Sequence, residues 1–159
     1  MALIRPIAEA DWPQVHALVV EVSRAGETYA MDVPASEAET REFWSGDLVV
    51  VAVDGDTVLG SAKAGPNRPA QGAHVGTASF MVGTAARGLG IGRAMGEYVV
   101  QWLGANGFEA IQFNAVVSTN TSAVRLWQSL GFEIVGRLPG AFRHPRLGLV
   151  DALVMYQLL

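Results

Sequence analysis

Three glycines alternate with other residues between Arg87 and Arg93, in the run Arg-Gly-Leu-Gly-Ile-Gly-Arg. The run follows an apolar stretch typical of a strand, residues 75–82, and precedes residues with the periodicity of an amphipathic helix. Glycine lets main-chain N–H groups face a ligand without a Cβ in the way, and the following helix N-terminus adds partial positive charge. This arrangement favours the binding of a phosphate group.

Two common nucleotide-binding motifs do not fit this turn. A dinucleotide fingerprint requires G-x-G-x-x-G, but the sixth residue counted from Gly88 is Arg93, and from Gly90 it is Met95. A P-loop requires Gly-Lys followed by Ser or Thr, and the turn contains no such sequence. Two interpretations remain, a different phosphate-binding turn and an ordinary glycine-rich connection between a strand and a helix.

A second segment downstream reads Asn-Thr-Ser-Ala-Val-Arg-Leu-Trp-Gln-Ser-Leu-Gly-Phe, from Asn120 to Phe132. Asparagine is a preferred helix N-cap, so this segment predicts a helix that Gly131 ends. Val82 also stands five residues before Arg87. Together these features resemble the acetyl-CoA motif Q/R-x-x-G-x-G/A and the N-x-x-A-x-x-L-Y/W-x-x-x-G-F segment of the GNAT superfamily of N-acetyltransferases.

The resemblance implies a particular fold and cosubstrate. The fold is an α/β (α+β) acyl-CoA N-acyltransferase fold, with a mixed, mostly antiparallel central sheet flanked by helices. The cosubstrate is acetyl-CoA, with its pyrophosphate on the glycine-rich turn and its pantetheine arm along the preceding strand. The residues that the resemblance places at the cofactor are Phe80, Met81, Val82, Arg87, Gly88, Leu89, Gly90, Ile91, Gly92, Arg93, Asn120 and Trp127.

Acetyl transfer requires a neutral amine, a donor for the developing oxyanion and a proton for the departing thiolate. The resemblance implies that a main-chain N–H of Met81 or Val82 polarises the carbonyl. Many members of the superfamily carry a tyrosine acid where this chain has Trp127, whose indole N–H is not a usable acid. For proton handling we consider His74, because histidine is the side chain best suited to proton transfer near neutral pH, and Glu27, which lies in the irregular stretch that lines the acceptor pocket in this fold.

A closer resemblance concerns the acceptor amine. The residues around His74, Phe113-Asn114 and the segment from Gly136 to Gly140 are similar to those of the L-azetidine-2-carboxylate acetyltransferases, which act on proline analogues. The similarity places Thr77, Asn114 and Ala115 at the acceptor, although Thr77 stands where that group has an asparagine. Other acceptors (an antibiotic, a polyamine or a protein N-terminus) and a non-catalytic acyl-CoA-binding module remain alternatives.

The elements that must position these residues alternate between strands and helices. Strands are predicted at 3–7, 48–53, 57–64, 75–82, 110–116, 132–137 and 149–158. Helices are predicted after Asp11, which can cap the first of them, after Ser36, after the glycine-rich turn and after Asn120. Ser36 and Glu39 have the spacing of a capping box.

Composition restricts the function classes further. The chain has 159 residues, which fits one N-acetyltransferase domain over 1–159, and a net charge of −4 that gives no support to nucleic-acid binding. It contains no cysteine, and its three histidines lack metal-ligand spacing, so we expect no metal site. No apolar run is long enough to span a membrane. We therefore expect a cytoplasmic enzyme that uses a small-molecule amine, and the resemblance adds a possible homodimer.

Overall fold

A computed structural model describes residues 2–159, in which seven strands form one sheet in the order β1-β2-β3-β4-β5-β7-β6. The strands are β1 (Leu3–Pro6), β2 (Leu48–Asp54), β3 (Thr57–Pro66), β4 (Val75–Val82), β5 (Ala110–Val117), β6 (Glu133–His144) and β7 (Gly148–Leu158). The α-helices are α1 (Trp12–Ala25), α2 (Glu37–Phe43), α3 (Ile91–Ala105) and α4 (Thr121–Ser129). Every neighbouring pair of strands is antiparallel except β4 and β5, which are parallel. The predicted element order and fold class are confirmed.

Helices cover both faces of the sheet, and each face has its own core. On one face α1 buries Val15, Leu18, Val19 and Val22 against β2 and Met81, at the spacing that a helix presents on one side. On the other face α3 buries Ile91, Met95, Val99 and Leu103 with the help of α4. The sheet therefore lies between two apolar layers, and β4 contributes side chains to both.

Asp11 and Ser36 directly precede α1 and α2, but only Ser36 caps its helix with a side-chain hydrogen bond. Ser36 accepts a hydrogen bond from the main-chain N–H of Glu39 at 3.2 Å and begins α2 as predicted. Asp11 makes no side-chain hydrogen bond to α1. Its buried carboxylate instead accepts two hydrogen bonds from Arg5, at 2.7 and 2.9 Å, and one from the N–H of Ala8. The capping prediction for Asp11 is wrong because a guanidinium offers two charge-assisted bonds.

Strand β6 continues well past residue 137, where the sequence predicts its end. Proline has no N–H to donate to a ladder, yet β6 is an edge strand, where proline is tolerated. The register with β7 is interrupted between Leu138 and Phe142, which accommodates Pro139. At that irregularity the N–H of Gly140 donates to the carboxylate of Asp151 at 2.9 Å instead of to a main-chain carbonyl. The longer β6 extends its pairing with β7 to Gly148, beyond Ala152, which pairs with the last residue of β5.

Candidate functional site

Strands β4 and β5 are paired at one end only and separate at the other. The pairing is limited to Val75 with Ala110 and Gly76 with Ile111. From Thr77 onwards β4 has no strand partner on this side, although its pairing with β3 continues to Val82. A cavity of about 1030 Å³ opens between the two strands, at the upper end of the range for small-molecule sites.

A bulge in β5 contributes to this separation. Phe113 pairs with Met155 and Val116 with Leu153, so Asn114 and Ala115 together face a single residue of β7. A bulge of this kind bends its strand and increases the local twist. Both bulged residues line the cavity, which is where the sequence predicts acceptor-binding residues.

The glycine-rich turn closes the wider end of the cavity. Gly88 and Gly90 both have φ of +78°, a left-handed conformation that residues with a Cβ adopt at a cost. Neither would meet another atom within 4 Å if a Cβ were added, so the backbone conformation, not crowding, requires glycine there. Gly90 precedes the first turn of α3, and Arg87 and Arg93 line the cavity beside it. Unpaired helix N–H groups and two guanidinium groups suit a pyrophosphate.

Two further glycines let α4 approach α3 closely beside this turn. A Cβ on Gly92 would lie 3.3 Å from Leu126, and one on Gly96 would lie 2.9 Å from Leu130 and 3.0 Å from the ring of Trp127. Asn120 begins α4, and its side-chain oxygen accepts from the N–H of Ala123, as predicted for a cap. The close packing places the start of both helices on the same cavity.

Aromatic side chains form the floor between the separated strands. The ring of Trp127 lies 4.7 Å from that of Phe80 and 4.9 Å from that of Phe113, and Phe113 stacks on Phe132 at 4.4 Å. Trp127 is only 7% exposed and lines the cavity. Its indole therefore packs beneath the gap between β4 and β5, at the position where the resemblance has an acidic tyrosine.

The main chain of β4 turns its free hydrogen-bonding groups into the gap. The N–H of Gly83 donates to the carbonyl of Leu59 in β3 at 2.9 Å. In an antiparallel pair, successive residues direct their N–H and C=O groups to opposite sides. The groups of Met81 therefore face β3, whereas those of Phe80 and Val82 face the gap. Of the two N–H groups predicted to polarise a carbonyl, that of Val82 is on the cavity side and that of Met81 is not.

Tyr29, in the segment between α1 and α2, is a cavity residue that the sequence does not single out. Its hydroxyl accepts from the N–H of Phe80 at 2.8 Å and donates to the carbonyl of the same residue at 2.7 Å. Burial raises the pKa of Tyr29 to about 12, and hydrogen bonds from Phe80 and Ser79 only partly offset that effect. A tyrosine in an irregular segment gives no sequence signal for this contact.

An ion pair links the segment between α1 and α2 to the β6–β7 turn at the cavity. The guanidinium of Arg146, in the β6–β7 turn, lies 2.8 Å from the carboxylate of Glu27, and their side chains are 74% and 35% exposed. Both residues line the cavity, as does the buried His144. The Nδ1 atom of His144 accepts from the N–H groups of Arg146 and Leu147, each at 3.2 Å. His144 thereby shapes the turn that carries Arg146, and neither residue is predicted from the sequence.

The amide of Asn114 already has partners on both sides. Its nitrogen donates to the side-chain oxygen of Asn67 at 2.6 Å, and its oxygen accepts from Gln112 at 2.9 Å. Thr77 lines the cavity on the β4 side. Thr77, Asn114 and Ala115 therefore share one end of the cavity, away from the glycine-rich turn.

Two predicted site residues lie outside the cavity lining. Leu89 is 67% exposed at the outer side of the turn. His74 is exposed before the start of β4, and six residues of strand put it about 20 Å from Phe80. The imidazole therefore lies away from the part of the cavity beside Phe80, and proton handling by His74 stays a prediction. The other residues assigned to the cofactor line the cavity.

The comparisons with known proteins identify the class. Residues 10–132 match the model of the acetyltransferase (GNAT) family, so the chain belongs to this family. A structure of a GCN5-related N-acetyltransferase from Kribbella flavida is 50% identical, with a TM-score of 0.95 over 99% of this chain and 98% of that one. The chain is an acyltransferase of the N-acetyltransferase type.

Two further relatives agree with this assignment. The N-acetyltransferase aca1 of Schizosaccharomyces pombe is 28% identical over an alignment of 148 residues that covers 81% of this chain and 71% of that protein. A phosphinothricin acetyltransferase from Sinorhizobium meliloti, solved in complex with AcCoA, is 26% identical, with a TM-score of 0.89 over 99% of this chain and 88% of that one. Acetyl-CoA is the cosubstrate of the family, and the turn and the gap described above fit it.

Two other properties concern the described residues 2–159 as a whole. None of their helices combines the length and the apolar character needed to cross a membrane. Within the same range, no group of three or more His, Asp or Glu side chains is arranged to hold a metal ion.

Proposed function

We propose that this chain transfers the acetyl group of acetyl-CoA to the amine of a small molecule, with amino acids and proline analogues as the favoured acceptors. The amine would attack the thioester directly, without a covalent enzyme intermediate. The phosphate end would occupy the turn from Arg87 to Gly92, and the acyl end would lie along β4 near Phe80. A cytoplasmic location remains a prediction from composition, and a homodimer remains a prediction from the resemblance.

The observation that carries this proposal is the gap between β4 and β5. One wall of the gap is a strand edge with free N–H and C=O groups, among them those of Val82, and a pantetheine arm offers amide groups that pair with such an edge. A strand that is paired on both sides has no free N–H or C=O groups, because they are hydrogen-bonded to the neighbouring strands. The gap also connects the glycine-rich turn with the end lined by Thr77 and Asn114.

The charges of the cavity lining support a small acceptor with an anionic group more than a polycation. Among the described residues that line the cavity, Glu27 is the one carboxylate, and Arg146 neutralises it. A polyamine or an aminoglycoside would need several carboxylates for its charges. Asn114 and the exposed guanidinium of Arg146 are instead donors that suit a carboxylate.

A thiol-release assay tests the proposal directly. Acetyl-CoA is mixed with a panel of amino acids, proline analogues, polyamines, aminoglycosides and an N-terminal peptide, and product is identified by mass. We expect release with amino acids or proline analogues and the acetyl group on their nitrogen. Turnover confined to polycations or to the peptide would contradict the proposed acceptor class.

The second candidate, a non-catalytic acyl-CoA-binding module, has one specific observation in its favour, the tryptophan at position 127. The same experiment separates it from the enzyme. Tight binding of acetyl-CoA by calorimetry, with no thiol release from any amine of the panel, would support the binding module.

A further inference from the structure

We propose that Tyr29 is a catalytic residue, whose hydroxyl donates a hydrogen bond to the acyl oxygen of the thioester beside the main-chain N–H of Phe80. The inference rests on the proposed function, because it assigns a role in acetyl transfer at the same site. It gives this role to a side chain from the segment between α1 and α2, outside both sequence motifs.

The position of the hydroxyl is the first argument. The cavity-facing main-chain groups of β4 occur at every second residue, so those of Phe80 follow those of Val82 in the direction away from the glycine-rich turn. The groups of Phe80 are engaged by the Tyr29 hydroxyl at 2.7 and 2.8 Å. The hydroxyl therefore stands at the β4 edge one step beyond Val82, between the turn that suits the phosphates and the end that suits the acceptor.

The second argument is an exchange of partners at Phe80. One N–H makes one good hydrogen bond, so an acyl oxygen that binds the Phe80 N–H must replace the Tyr29 oxygen as its acceptor. The displaced hydroxyl still lies next to that acyl oxygen, and its proton can turn from the Phe80 carbonyl to the new acceptor. Two donors then converge on one oxygen, which is the arrangement that stabilises a developing negative charge.

The bonds of the transfer balance without a covalent intermediate on the protein. The amine nitrogen forms a bond to the carbonyl carbon, and the carbonyl electron pair moves onto the oxygen held by Tyr29 and Phe80. When the carbonyl re-forms, the carbon–sulfur bond breaks and its electron pair leaves on sulfur. The proton lost by the nitrogen neutralises the thiolate, directly or through water, and Tyr29 ends with its own proton.

The protonation state of Tyr29 is consistent with a donor. Burial raises its pKa to about 12, so the hydroxyl keeps its proton across the ordinary working range of pH. A group with such a weak tendency to ionise is a poor source of a proton for the thiolate and a stable hydrogen-bond donor. Trp127, which packs on the ring of Phe80, has no hydroxyl to supply this bond.

The test compares Tyr29→Phe with Tyr98→Phe, a control on α3 outside the cavity lining. The infrared carbonyl band of ¹³C-labelled acetyl-CoA is recorded when bound to each protein, since strong hydrogen bonds lower that frequency. We expect the band to lie below that of free acetyl-CoA in the native chain and in Tyr98→Phe, and to return upward in Tyr29→Phe. This readout needs no acceptor amine, so it stands even if the proposed acceptor or the transfer itself is wrong.

Kinetics provide the second measurement. Loss of one oxyanion donor lowers kcat by about 100-fold or more, so we expect that loss in Tyr29→Phe with the KM for acetyl-CoA changed less than about threefold. A residue that only braced the α1–α2 segment would alter KM and melting temperature instead. An unchanged carbonyl band, or a kcat within about threefold of the native value, would overturn the proposal. If Tyr29→Phe does not fold, the native chain alone decides: a carbonyl band of bound acetyl-CoA no lower in frequency than that of free acetyl-CoA would overturn the proposal.

Discussion

The two halves of the cavity are built in different ways. The half that we propose for acetyl-CoA, called the cofactor half, consists largely of main-chain groups from one continuous stretch, β4 through the glycine-rich turn into α3, with α4 packed beside it. The half that we propose for the amine, called the acceptor half, consists of side chains from three distant segments, with Glu27 before α2, Asn114 in β5 and Arg146 in the β6–β7 turn. A binding site built from main-chain groups tolerates many side chains but requires particular backbone angles. A binding site built from side chains requires particular residues.

This difference explains how the two halves should respond to change. In the cofactor half the sensitive positions are glycines, where the backbone or a close approach leaves no room for alternatives. In the acceptor half each side chain makes one or two exposed contacts, and such contacts contribute modestly. Substitutions should therefore have their largest effects near the turn and smaller effects towards the β6–β7 turn.

The largest effect is expected for Gly90→Glu. The substitution forces a residue with a Cβ into φ of +78° and places a carboxylate beside the path of the pyrophosphate. Like charges about 4 Å apart repel by about 4 kcal/mol in a partly screened site, and exposure of the turn reduces that figure. We expect the Kd for acetyl-CoA, measured by calorimetry, to rise by about 100-fold.

Gly104→Glu is the matched control, because Gly104 is exposed on α3 with open space around it and an ordinary φ. It should bind acetyl-CoA with a Kd within about threefold of the native value. Equal Kd values for the two variants would show that the turn does not hold the pyrophosphate, and the comparison of the two halves would lose its basis.

The next effect concerns the packing that supports the cofactor half. In Gly96→Ala the new methyl group would lie 2.9 Å from the Leu130 side chain and 3.0 Å from the ring of Trp127, so these side chains or α4 must shift. Overpacking of this kind costs about 1–3 kcal/mol, partly offset by the better helix propensity of alanine. We expect the free energy of unfolding in urea to fall by about 1–2 kcal/mol, with weaker acetyl-CoA binding. Gly104→Ala, the control on the same helix, should raise the free energy of unfolding by up to about 1 kcal/mol. A rise of that free energy in both variants would mean that α3 and α4 are not tightly packed.

The fold and the cofactor half could be predicted from the sequence because their signals are local. Alternating glycines, the Asn120 cap and the hydrophobic periods each lie within one short segment. The register break at Pro139 could not be predicted, since it depends on Asp151 in the neighbouring strand accepting the free N–H of Gly140. The strand predicted to end at residue 137 therefore continues.

The acceptor half was predicted only in part for the same reason. Asn114 follows from resemblance, but Tyr29 and Arg146 reach the cavity only through tertiary structure, Tyr29 from an irregular segment and Arg146 through the longer β6. His74 is adjacent in sequence to β4 but lies at the end of that strand far from Phe80. Proximity along a strand is a poor guide when each residue adds about 3.3 Å.

A smaller effect is expected for Asn114→Ala in the acceptor half. If the amide holds the acceptor, its loss removes one or two hydrogen bonds, each contributing about 0.5–1.5 kcal/mol. We expect the KM for the acceptor to rise by about tenfold and the KM for acetyl-CoA to stay within about twofold. Asn67→Ala, which removes the partner of Asn114 but lies outside the cavity lining, should change the acceptor KM by less than about threefold. An unchanged acceptor KM in Asn114→Ala would mean that Asn114 does not bind the acceptor and only makes its hydrogen bonds to Gln112 and Asn67.

The smallest effect is expected for Tyr29, which belongs to the acceptor side but contacts the main chain of the cofactor strand. Its folded-state pKa of about 12 lies above the ordinary value of 10, so between pH 10 and pH 12 the unfolded chain loses this proton first. The stabilisation is fully present below pH 10 and is lost as pH rises towards 12. Between pH 8 and pH 11 the free energy of unfolding of the native chain should fall by about 1 kcal/mol more than that of Tyr29→Phe. Parallel pH profiles for the two proteins in urea unfolding would mean that the hydroxyl is solvated, and the main-chain contact at Phe80 would then not couple the two halves.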